Sequence, residues 1–190
     1  MHAAVNYAGL VGARAALIAF IAFVTASAAQ SDNGSRLQAG TPANPSDAAP
    51  VFGIRLPADY RDWRLISVAR ETGKLDDLRA ILGNDTAIKA YREGTLPFPD
   101  GTIIARVAWS YTPLDESEKA FGAAQSFVAG PPKNGVQFMV KDSKKYAATG
   151  GWGFAQFNDG KPADEAAHNT CFACHAIVPA RDLVFNRYAP

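Results

Sequence analysis

The chain has 190 residues, 19 of them basic and 18 acidic, with only two cysteines and three histidines. The near-zero charge carries no basic block for nucleic acid and no acidic tail for a basic partner. Both cysteines fall within five residues near the C-terminus, so the sequence predicts no structural disulfide and leaves stability to the core and any bound group.

The N-terminus reads as a secretory signal over residues 1–28. His2 and Arg14 flank a short basic region, Ala15 to Ala26 is almost wholly apolar, and Ala26-Ser27-Ala28 offers a small-x-small cleavage site, with Ala29 as an alternative end. The apolar run is short for a bilayer span and lacks a stop-transfer flank, which disfavours a retained anchor. The expected product is periplasmic, has no membrane attachment after cleavage, and carries basic and acidic residues in equal number. Residues 29–50, rich in Ser, Asn, Gly, Ala and Pro, read as a flexible tether. A single domain follows over 51–190, and no internal repeat is evident.

Within that domain Trp63 to Ala69 and Leu78 to Leu82 read as strands. Asn84 or Asp85 caps a short helix running to Arg92, and Gly94 stops it. Pro99-Asp100-Gly101 is a turn into a long strand, Thr102 to Tyr111. Ser126 to Ala129 is a further strand, which Pro131-Pro132-Lys133-Asn134-Gly135 is expected to break from Val136 to Val140. Lys141, Lys144 and Lys145 read as a solvated turn. Trp152 to Phe157 is expected to be the last strand, and a helix covers about Ala166 to Ala176. Mostly strands, with helices inserted, make this an antiparallel α+β protein.

That last helix carries Cys171-Phe172-Ala173-Cys174-His175. Positions i, i+3 and i+4 share one helical face, so two thiols can join the two vinyl groups of a haem while the His175 imidazole reaches the iron from the same side. One covalently attached haem c is the predicted cofactor, with Cys171, Cys174 and His175 binding it and His175 as the metal ligand. A redox dithiol would need a preceding buried strand, and Asp159 to Thr170 offers none. A zinc site of His168, Cys171, Cys174 and His175 would pack four ligands into eight residues and close a tetrahedron only with strain.

Further segments, in order and spacing, carry a likeness. They are Tyr60-Arg61-Asp62-Trp63, Asp100-Gly101-Thr102, Val140-Lys141-Asp142-Ser143-Lys144-Lys145-Tyr146, Gly151-Trp152-Gly153-Phe154, the haem motif, and Asp182-Leu183-Val184-Phe185-Asn186-Arg187-Tyr188. Over about residues 55–190 the chain resembles cytochrome P-460 and its relative cytochrome c-prime-beta. The resemblance implies a homodimer of antiparallel sheets, each holding a five-coordinate haem c with His175 as proximal ligand and an open distal face. In cytochrome P-460 a lysine shortly after the Asp-Gly-Thr turn is also bonded to the porphyrin, and the enzyme oxidises hydroxylamine or nitric oxide. Cytochrome c-prime-beta lacks that bond and binds small gases.

This sequence places Arg106 where the bonding lysine would stand, and no lysine lies between Thr102 and Glu118. A protonated guanidinium is no amine nucleophile. Arg106 is then a candidate to hydrogen-bond a distal ligand, to pair with a haem propionate, or to pair with a surface carboxylate. Met139 and His168 are the remaining candidates for the sixth iron position. His168 lies on the proximal side, and a lone strand methionine is more often packing. Phe127, Phe138, Phe154 and Phe157 are available to keep water from the distal side, with core packing the competing role for at least half of them.

The expected function is a periplasmic mono-haem cytochrome that binds nitric oxide or a similar small ligand and passes single electrons to a periplasmic redox partner. The alternatives are hydroxylamine oxidation and electron transfer with Met139 ligated.

Overall fold

The computed structural model describes residues 47–189, so the signal segment and most of the tether lie outside the described residues. Six strands follow in chain order: β1 (Arg64–Glu71), β2 (Asp77–Gly83), β3 (Ile103–Pro113), β4 (Phe127–Lys141), β5 (Trp152–Asn158) and the two-residue β6 (Lys161–Pro162). Each pairs antiparallel with its sequence neighbour to form one sheet in the order β1 to β6. Consecutive strands pairing in chain order make a meander, with helices carried in the β2–β3 and β3–β4 connections.

Three helices are inserted: α1 (Asp85–Glu93), α2 (Asp115–Phe121) and α3 (Glu165–His175). Asn84 caps α1, its Oδ1 accepting from the Ala87 N–H at 3.0 Å, and Gly94 ends it at φ +65°. The same Oδ1 accepts from Ile103 N–H, and Asn84 Nδ2 donates to the Gly101 carbonyl, so one side chain joins the helix start to the turn before β3. These elements give the expected antiparallel α+β architecture.

Directly opposed residues lie on one face of a sheet. Gly83 opposes Ile104, Ile104 opposes Met139, and Met139 opposes Phe154. A Cβ on Gly83 would lie 2.8 Å from that of Ala87 in α1, while the Phe154 ring touches His175 of α3. Both helices therefore cover this face. On the other face Phe138 packs edge-on against Tyr60, Trp63 and Phe157, so the turn Tyr60–Asp62 closes it.

Three expectations change. β4 is continuous through Pro131 and Pro132, because β5 pairs only with Val136 to Lys141 and the proline segment has β3 alone beside it. Missing N–H groups are tolerated there, and register shifts opposite Val107 to Tyr111 absorb the extra residues. Gly135 (φ +57°) is required at this irregularity, since a Cβ would lie 2.1 Å from the Phe157 carbonyl oxygen. Second, β6 follows β5. Third, α2 went unread, although Asp115, Glu116 and Glu118 in its first turn and Gly122 after its end are ordinary helix signals.

Candidate functional site

α3 is capped by Asp164, whose Oδ1 accepts from the Ala167 N–H at 2.8 Å, and ends at His175. Its last turn carries Cys171, half-buried, and Cys174, exposed, and neither is in a disulfide. Burial, then the adjacent Cys174, pushes the Cys171 thiol above its ordinary pKa, so it rests as a thiol. The helical spacing places both sulfurs and the imidazole on one side.

The His175 ring sits between Phe154 and Phe185, with centroids 5.0 and 5.3 Å away. Its Nδ1–H donates to the Leu183 carbonyl at 2.8 Å, which leaves the Nε2 lone pair free. Burial lowers the His175 pKa, with the Leu183 bond opposing, and the net fall favours the neutral imidazole that an iron ligand must be.

The Leu183 carbonyl comes from a tight turn after α3. Asp182 (φ +50°) and Leu183 (φ +65°) are both left-handed, and such residues cost about 1–3 kcal/mol each. Asp182 is clamped from two sides. Its Oδ2 accepts from the Phe98 N–H at 2.9 Å, and its Oδ1 binds Lys141 Nζ at 2.8 Å. Lys141 is only 6% exposed, so the solvated-turn reading is wrong for this lysine. Its ammonium also donates to the Gly150 carbonyl and lies over the Trp152 ring, where desolvation is offset by these partners.

His168 is buried beside the site and is no ligand. Its Nε2 accepts from the Gln156 N–H at 3.0 Å and its Nδ1 donates to the Asp164 carbonyl, so both nitrogens are used by the backbone. The four-ligand zinc set therefore lacks a member.

Arg106, in β3, lies opposite Gln137 of β4, which opposes Gln156 of β5, on the same face as Met139 and Phe154. Its Nη2 bonds Asp77 Oδ2 and its Nη1 donates to Gln137 at 3.3 Å. Asp77 also receives Arg79 through two bonds of 2.7 and 3.0 Å, and Arg79 reaches Glu71. Burial raises the Asp77 pKa, but the bonds and charges of Arg79 and Arg106 outweigh it and hold the carboxyl below its usual range. Burial and then the Arg79 charge lower the Arg106 pKa, with Asp77 opposing. Arg106 pairs with a carboxylate, but that carboxylate, Asp77, is buried and not on the surface as expected.

The four phenylalanines divide. Phe154 touches His175, Phe138 and Phe157 pack on the opposite face, and exposed Phe127 meets Tyr111 at the far end of β3. Met139 is buried on the Phe154 face.

Two free thiols, an imidazole with one nitrogen open, and apolar rings at its sides suit a covalently held haem. The cytochrome P460 family model matches residues 57–186. The chain belongs to the cytochrome P460 family. As a member it is a haem-binding cytochrome, and the matched span covers the sheet, α3 and the turn behind His175. No curated protein matches the chain.

Sequence reasoning missed Asp77, the Asp182–Lys141 pair and the role of the Leu183 carbonyl. Asp182 and Lys141 stood in segments quoted for the family likeness, but nothing in their spacing pairs them. Asp77 gave no signal.

Proposed function

We propose that this cytochrome P460 family member is exported to the periplasm and holds one haem c through Cys171 and Cys174, with His175 Nε2 on the iron. The opposite iron position stays open for nitric oxide or a similar small ligand. When bound, the haem supplies an iron centre that takes up such a ligand and changes oxidation state by one electron.

The protein's own groups divide the remaining work. The observation that carries the reading is the Nδ1–H bond from His175 to Leu183, which fixes the tautomer and directs Nε2 outward. Phe154 and Phe185 exclude water from the imidazole. Arg106 stays protonated and tied to Asp77, which disfavours the porphyrin cross-link and hydroxylamine oxidation. Lys141 is held by Asp182 and does not replace it. The exposed side chains of Leu65 and Val68, opposite Leu82 and Ala80, give the proposed homodimer an apolar surface.

Absorption spectra of the reduced protein with and without nitric oxide test this. A high-spin five-coordinate spectrum that changes on adding nitric oxide is expected. A low-spin resting spectrum would show that a side chain such as Met139 fills the sixth position, and a strongly red-shifted reduced band would show a cross-linked porphyrin.

A further inference from the structure

We infer that the Lys141–Asp182 pair is a positioning device for the proximal histidine. It fixes the Leu183 carbonyl against His175 Nδ1–H and so tunes how strongly His175 donates to iron. The inference rests on His175 being the axial ligand.

Three observations converge. Two adjacent non-glycine residues, Asp182 and Leu183, are left-handed, and nothing in their own side chains makes Leu183 favour that conformation. Strain of this kind persists only where surrounding structure over-determines it. Here the Asp182 carboxylate, 11% exposed, bonds both the Phe98 N–H and the Lys141 ammonium. Lys141 is in turn fixed at the end of β4 by backbone bonds to Thr102 and Gly101, and by the Gly150 carbonyl. The chain of contacts therefore runs from the sheet through one buried ion pair into the turn whose carbonyl meets the imidazole.

A polarised N–H···O=C bond pushes electron density toward Nε2 and makes the imidazole a stronger donor. If the turn relaxes, that bond lengthens and the donor weakens. Asp182 bonds Phe98 and Lys141, Lys141 bonds Asp182 and the Gly150 carbonyl, and His175 Nδ1–H meets Leu183, so the pair acts on the imidazole through the position of the turn.

The test compares the parent holoprotein with Asp182→Asn, Lys141→Met and Phe157→Leu. Asparagine tolerates the left-handed conformation and can still accept from Phe98 N–H, so Asp182→Asn adds no intrinsic backbone strain and any movement of the turn reports the lost Lys141 ion pair. Phe157→Leu loosens the core on the other face and controls for general destabilisation. The readouts are the iron–histidine stretching band of the ferrous protein by resonance Raman and the reduction midpoint potential. Both pair variants should shift the band to lower frequency and raise the potential, while Phe157→Leu moves neither. Unchanged values in Asp182→Asn and Lys141→Met, or equal shifts in Phe157→Leu, would overturn the inference and leave the pair a purely structural contact. If one pair variant fails to fold, the other decides, and loss of covalent haem from both while Phe157→Leu keeps it also overturns a tuning role. A parent protein that carries haem but shows no iron–histidine band would instead refute the five-coordinate, His175-ligated reading on which the inference rests.

Discussion

Two polar regions adjoin the same sheet face and are built on opposite plans. The segment from α3 to Phe185 keeps capacity in reserve: neither cysteine is in a disulfide, the Cys171 thiol makes only a long 3.6 Å bond to the Ala167 carbonyl, and His175 keeps one nitrogen unengaged because the Leu183 carbonyl takes the other. The row across β2 to β5 turns inward. Asp77, Arg79, Arg106, Gln137 and Gln156 satisfy one another, with Glu71 at one end. The first plan leaves chemistry available to a cofactor, and the second removes it. Charge and hydrogen-bonding capacity alone do not mark a functional group; unspent capacity does.

This contrast can be pressed by mutation. Replacing both Cys171 and Cys174 with Ala should abolish covalent haem on a denaturing gel, since each thiol supplies one attachment. Retention of covalent haem there would place the attachment elsewhere.

The inward row should respond through stability. Asp77→Asn leaves Arg79 and Arg106 mostly buried without their carboxylate, and a cost of about 3 kcal/mol is expected from urea unfolding at neutral pH. The pH dependence has a definite sign. The folded-state pKa of Asp77 lies below its unfolded value of about 4, so its contribution is complete above that value and falls away as pH drops through the folded one. The gap between parent and variant should therefore narrow in acid. A gap that widened would mean that the carboxylate is not the stabilising form.

The mildest change is Met139→Leu. A buried thioether that only packs should tolerate this swap within about 1.5 kcal/mol and leave the resting spectrum as it was. A spectral change would reassign Met139 to the iron.

The same contrast marks how far the sequence could be read. Cys171, Cys174 and His175 are local: their spacing on a helix is the chemistry, and the caps Asn84 and Gly94 that shape α1 are equally local. Strand alternation predicted most of the sheet, because half-buried strands repeat every two residues. Pairings at long separation were not readable. Asp77 meets Arg106 across 29 residues and Lys141 meets Asp182 across 41, and no spacing rule connects them. For the same reason Pro131 and Pro132 were read as a break, although only the absence of β5 beside them decides that β4 can continue. Lys141 was misread because its cluster with Lys144 and Lys145 resembles any exposed basic turn, while burial is a property of the assembled sheet.

In the proposed holoprotein the haem is held by Cys171 and Cys174 alone, with His175 as its axial ligand. The most direct measurement is mass spectrometry of the holoprotein under denaturing conditions, followed by trypsin. The expected result is a processed chain plus one haem, with the haem on a single peptide containing Cys171 to His175. Haem lost on denaturation, or a second peptide bonded to the porphyrin, would contradict it.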